Sequence, residues 1–245
     1  MFSSTTRGVA AAAGLALVTA SLAACSPSSS DHGLAVVATT TQICDYVTQI
    51  AAHSADISLD KTDAAGKSSH VGAQNDGAAL TMSLTCLLAP NASAHEHEMT
   101  PAQTSALAQA DVMAVSGVDL EHFLDDAVVS SGFKGRMVVT SGVLTAADVD
   151  NPGVPDPEGP YTIDRGSERV DVAPWPFPPE EAGEEPEFRF DPHVWTSPKG
   201  TRIQVANLGA GLAAAAPDAA SSINAATASY LEDLGALDAW VAESI

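Results

Sequence analysis

Residues 94–98 read Ala-His-Glu-His-Glu, which places two imidazoles and two carboxylates within four consecutive positions. Imidazole is a borderline-soft nitrogen donor that suits a divalent transition metal, and carboxylates can complete its coordination sphere. The stretch is therefore either half of a metal site or a solvated, charged loop. His95 and His97 lie two positions apart, so in extended backbone they point to opposite sides. One of them can face a ligand while the other faces water. The remaining histidines divide by context. His32 and His70 lie in polar stretches. His53 ends a helical pattern, where a cation suits the C-terminal dipole, and His122 falls off the apolar stripe of its helix, so exposure is expected. His193, in Asp-Pro-His-Val-Trp-Thr-Ser-Pro, opens a helix and is the candidate to share a site with His95. A catalytic zinc usually needs three protein ligands and an open water position. The chain offers no His-Glu-x-x-His pair and no evident general base, so the expectation is a binding protein and not an enzyme.

The elements that would carry these residues can be read from periodicity. Short apolar runs at 34–40, 82–88, 112–117 and 136–142 predict four buried strands. Between them lie helical patterns. Ile43, Tyr46, Val47 and Ile50 share one face, and Leu120, Phe123, Leu124, Ala127 and Val128 share another, with Gly132 as its stop. Thr100-Pro101-Ala102-Gln103 has the form of a helix start, with Thr100 as cap, Pro101 in the first turn and Gln103 closing a capping box. Strands alternating with helices predict an α/β fold with a four-stranded parallel sheet and right-handed crossovers. His95 and His97 follow the second of these strands at its C-terminal end, where open parallel sheets collect ligands. Residues 54–80 are polar and rich in Gly, Ser and Asp, which predicts a surface insertion. Residues 149–190 are rich in Pro, Glu, Asp and Gly and predict a long acidic loop. A helix opening at Ser197-Pro198 follows, and a last helix carries Tyr230, Leu231, Leu234, Leu237, Val241 and Ile245. Its apolar stripe still runs at Ile245 without a stop signal, which leads us to expect that the sequence is cut short.

Composition bounds the partners. The formal net charge is −21 across 245 residues, and no basic stripe exists to displace phosphate counterions, which argues against nucleic-acid binding. At the N-terminus Arg7 precedes an apolar run at 9–20 that is too short for a stable membrane span. Leu22-Ala-Ala-Cys25 then resembles the lipobox of bacterial lipoproteins. The resemblance implies a signal peptide at 1–24, lipidation of Cys25 and a tether at 25–33. Acylation of Cys25 leaves Cys44 and Cys86 as an even pair in an oxidising setting. A disulfide between them is expected, with two buried free thiols as the alternative.

The segment from Ala94 to Asp126, together with Asp191-Pro192-His193-Val194-Trp195-Thr196-Ser197-Pro198, resembles the metal-binding region of the zinc/manganese solute-binding lipoproteins of bacterial ABC importers. Aligned on Thr100-Pro101 and Ala110-Asp111, the family's first ligand histidine falls on His95, and His97 falls where the family often has Tyr. The second ligand falls on His193, and Asp191 stands where it could orient that ring. The resemblance implies an N-terminal lobe at 34–148, a second motif and helix of the same lobe at 191–221, and the start of a long inter-lobe helix at 222–245. The second lobe, with a third ligand (His or Glu) and a fourth (usually Asp), is missing from the sequence. The implied function is capture of Zn²⁺ or Mn²⁺ by a lipid-anchored monomer on the outer face of the cytoplasmic membrane, for delivery to an ABC permease. The alternatives are an incomplete fragment or an adhesin-like surface lipoprotein with little or no role in metal transport.

Overall fold

The computed structural model describes residues 1, 33–74, 77–179, 186 and 188–245. Cys25, the rest of the expected leader and nearly all of the expected tether lie outside them. In chain order the elements are β1 (Leu34–Ala38), α1 (Thr41–Ala52), β2 (Ile57–Thr62), β3 (Ser68–Gly72), β4 (Leu80–Cys86), α2 (Pro101–Ala108), β5 (Val112–Val115), α3 (Leu124–Ser131), β6 (Arg136–Val139), α4 (Ala146–Asp150), β7 (Thr162–Asp164), α5 (Pro198–Ala215) and α6 (Ala220–Ser244). No helix among the described residues is long and apolar enough to cross a membrane.

The strands form one sheet in the order β3-β2-β4-β1-β5-β6-β7. This corrects the expected four-stranded parallel sheet. The four expected strands are present and parallel to their neighbours, but three more join them and the sheet is mixed. Two come from the segment expected to be a surface insertion. β2 pairs parallel with β4, and β3 pairs antiparallel with β2 at the edge. Ile57 and Leu59 of β2 are fully buried, whereas most of β3 is exposed. Two apolar residues give only a faint alternating signal, and an edge strand kept polar discourages pairing with other chains. The hairpin turn is built by Asp63, whose Oδ1 accepts from the N–H groups of Ala65 and Lys67 at 2.9 Å each. The third strand, β7, comes from the acidic loop and pairs parallel with β6, where Arg136 bonds Asp164 at 2.9 Å.

Side chains alternate across the sheet as strand geometry requires. Val36, Ala38, Val112, Ala114 and Val138 face a core shared with α1, α5 and α6. Val37, Met113, Val115, Met137 and Val139 face a second core beneath α2 and α3. Strands buried on both faces read as near-continuous apolar runs, which is why these were legible. Ile43, Val47 and Ile50 of α1 are fully buried, each worth about 1.5–3 kcal/mol against exposure. Cys44 of α1 and Cys86 of β4 are joined by a disulfide. Helices α5 and α6 approach closely at Gly209, where a Cβ would stand 2.4 Å from Thr227 Oγ1.

The caps fix the loops that matter. The Thr100 hydroxyl accepts from Gln103 N at 3.3 Å, and Gln103 Oε1 accepts from Thr100 N at 2.9 Å, the reciprocal box expected. Gln103 Nε2 also donates to Leu87 O at 2.7 Å. One side chain thus ties the start of α2 to the end of β4 and closes the base of the loop that carries His95. Ser197 caps α5 by accepting from Gly200 N, with Pro198 in the first turn.

Candidate metal centre

Three loops meet at the C-terminal ends of the parallel strands. The first joins β4 to α2 and carries His95 and His97. The second joins β5 to α3 and is sharply bent, with left-handed backbone at Gly117 (φ 88°), Val118 (φ 57°) and Asp119 (φ 55°). Positive φ at a β-branched residue is costly and persists only where its surroundings enforce it. Val118 N donates to Val143 O at 2.8 Å and Asp119 N to Leu144 O at 3.2 Å, and Glu121 holds the residues just before them. Its carboxyl is buried and accepts from Thr39 Oγ1 at 2.6 Å, Ser116 N at 2.7 Å and Gly117 N at 3.1 Å. Burial pushes the Glu121 carboxyl up, against the pull of these hydrogen bonds. The third loop is the long acidic segment before α5. Residues 173–175 of it run antiparallel to 189–191, with Trp175 N donating to Arg189 O at 3.1 Å and Asp191 N to Ala173 O at 2.8 Å. Arginines pin it further. Arg165 pairs with Asp148 and Asp156, and Arg189 pairs with Asp150.

These loops bring His95 and His193 together, with ring centroids 5.6 Å apart and edge-on to each other. In each ring Nδ1 meets an oxygen acceptor. His95 Nδ1 lies 3.2 Å from Leu120 O, and His193 Nδ1 lies 2.7 Å from Asp191 Oδ1. A carbonyl or carboxylate oxygen only accepts, so Nδ1 carries the proton and the lone pair resides on Nε2. That is the tautomer a metal-binding imidazole takes, with its other nitrogen held by a carbonyl or carboxylate. Asp191 also accepts from His193 N at 3.0 Å, which fixes the backbone at the ring it orients.

His97 packs elsewhere, with no ring contact to His95 or His193 among those observed. It packs edge-on against Phe123 at 4.9 Å, and its Nε2 is buried with no hydrogen-bond partner among the described residues. Burial holds the His97 ring below the usual histidine range, with Gln103 pulling weakly in the opposite direction. Glu96 and Glu98 are exposed. Among the described residues no three His, Cys, Asp or Glu side chains already converge on one metal position.

Several residues at this place had no assigned role in the sequence. Phe188 is buried and packs on His95 at 4.8 Å and on Trp175 at 5.0 Å, and Trp175 stacks on His193 at 5.9 Å. The acidic loop therefore supplies an apolar wall to both histidines. His122, exposed as expected, lies 5.8 Å from His95. It lines a cavity of about 720 Å³ together with His95, His97, Glu98 and Asp126. A second cleft of about 630 Å³ lies on the face of β1, β2 and β4, and among the described residues no histidine lines it.

Solved structures share this fold at low identity. Zn(II)-bound AdcA from Streptococcus pneumoniae superposes with a TM-score of 0.54 at 19% identity, over 86% of this chain and 32% of that one. The metal-dependent lipoprotein YcdH from Bacillus subtilis superposes with a TM-score of 0.50 at 18% identity, over 84% of this chain and 54% of that one. A zinc-bound deletion variant of ZnuA lacking residues 138–173 gives 0.51 at 15% identity, over 84% of this chain and 56% of that one. The chain thus spans from about a third to little more than half of the structures it matches. The family model described as ZnuA, zinc-uptake complex component A, periplasmic, matches residues 77–245, which include His95, His122, Asp191 and His193, and the chain belongs to that family.

Proposed function

We propose that this chain captures a divalent transition metal, zinc or manganese, outside the cytoplasm as the solute-binding component of an ABC importer. It hands the ion to a permease in the cytoplasmic membrane and acts as a monomer anchored by a lipid on Cys25. Its role is transport and not catalysis. The observation that carries this reading is the pairing of His95 with His193. They lie far apart in the chain, yet their rings stand 5.6 Å apart, each with Nδ1 on an oxygen acceptor. Zn(II)-bound AdcA and the zinc-bound ZnuA variant, both sharing the fold, support the nature of the ion.

The residues divide the work simply. His95 and His193 donate through Nε2. Leu120 O and Asp191 hold the rings in the donating tautomer and make them better bases. Trp175 and Phe188 keep water from one side, which strengthens the bond between ion and ligand. Two imidazoles leave positions open on a tetrahedral ion, which suits a cargo that must be released again. Calorimetric titration of the intact chain with zinc tests this. One equivalent of zinc is expected to bind, and binding is expected to disappear in His95→Ala/His193→Ala. Equal binding by the double variant would refute the assignment.

A further inference from the structure

We propose that His122 is a third imidazole ligand for the same ion. This rests on the reading that His95 and His193 hold the metal. It adds a ligand supplied by this lobe itself, from the loop between β5 and α3.

Ring spacing carries the argument. Two imidazoles on one tetrahedral zinc, each with a metal–nitrogen bond of about 2.0–2.1 Å, place their ring centroids about 5.2 Å apart. His193 stands 5.6 Å from His95 and His122 stands 5.8 Å from it. Both spacings exceed the ligated value by only about half an ångström. Phe188 touches His95 and His122 at 4.8 and 5.5 Å and so groups both rings against one apolar surface.

The three rings do not yet converge on one point. His122 precedes the first turn of α3 and is exposed, so its ring turns about its own side-chain bonds without unpacking the core. The backbone beneath it is held firmly. The turn at Val118 and Asp119 is bonded to Val143 O and Leu144 O, and Glu121 holds Ser116 N and Gly117 N just before it; the neighbours of Glu121 are Leu120, the acceptor for His95, and His122 itself. One turn thereby sets the tautomer of the first ligand and delivers the third. The consequence is selectivity. Three neutral nitrogen donors favour zinc over the harder manganese more strongly than two donors do.

The test uses the intact chain, zinc by competition with a chromophoric chelator, and Co²⁺ as a spectroscopic stand-in for zinc. His122→Ala is expected to weaken zinc roughly tenfold or more, comparable with losing a supporting group around a metal. It is also expected to shift the visible Co²⁺ bands as water replaces nitrogen, and His122→Gln is not expected to restore them. In the unmodified chain the ring nitrogen resonances of His122 are expected to move with those of His95 and His193 on adding one equivalent of zinc. Unchanged affinity and Co²⁺ spectrum in His122→Ala, with His122 resonances that ignore zinc, would overturn the proposal. The two-histidine reading would survive that result provided His95→Ala/His193→Ala still abolishes binding. If the unmodified chain binds no zinc, both readings fall together.

Discussion

Glu121 is the residue on which the geometry of the site turns. It satisfies two backbone N–H groups and a hydroxyl that water does not reach. Leaving a buried donor without a partner costs about 1–3 kcal/mol. Glu121→Ala orphans the N–H groups of Ser116 and Gly117, so chemical denaturation is expected to show a loss of more than about 2 kcal/mol. The amides of Ser116 and Gly117 should exchange faster at the same time. Asp191 acts differently, because it orients the His193 ring and carries little of the core. Asp191→Asn is expected to weaken zinc about 10–100-fold while leaving the melting temperature nearly unchanged. The sequence reveals these residues unequally. His95 and His193 stand out because each sits in a recognisable motif at a helix entrance, and Asp191 stands beside its ring. Glu121 and His122 do not stand out, because Val118 and Asp119 carry positive φ without a glycine to signal it. Trp175 and Phe188 are hidden by the composition of their segment, whose partners outside it lie in two other loops.

Between elements, the contacts of α6 make two expectations concrete. His53, at the end of α1, lies 3.0 Å from Asp233 of α6 and 2.8 Å from Gln49 O. The bond to Asp233, then that to Gln49 O, holds the His53 ring above the ordinary value of 6.5. Its contribution to stability is therefore fully present below about pH 6.5 and fades as pH rises through the raised folded value. Titration of the His53 ring by NMR is expected to show that raised value, and Asp233→Asn is expected to bring it down. The stability gap between the unmodified chain and Asp233→Asn should close as the pH rises. The second contact is Gly209 of α5 against Thr227 of α6. Alanine is the better helix former by about 1 kcal/mol. Here Gly209→Ala is expected to destabilise by about 1–3 kcal/mol, because the β-branched Thr227 cannot yield. Sequence patterns place α1, α2, α3, α5 and α6 through apolar spacing and the Thr100, Ser197 and Gly132 signals. They miss β2, β3 and β7, where burial is shared out over two or three residues and the outward face is polar.

For the molecule as a whole, charge bears on how an ion arrives. The chain carries a formal net charge of −21, and the screening length is about 8 Å at physiological ionic strength. The association rate for zinc, followed by stopped flow, is expected to fall as salt is raised, while the number of sites stays at one. The α/β class was legible because four strands buried on both faces announce themselves. The pairing of His95 with His193 depends on where the acidic loop ends, and local pattern carries little of that. In the proposed site these two rings donate to one metal through Nε2. Long-range ¹H–¹⁵N correlation spectra of the chain, recorded as zinc is added, test it most directly. The expected result is that Nε2 of His95 and Nε2 of His193 shift together and saturate at one equivalent, while both Nδ1 atoms remain protonated. Stationary Nε2 resonances for either ring at saturating zinc would contradict the account.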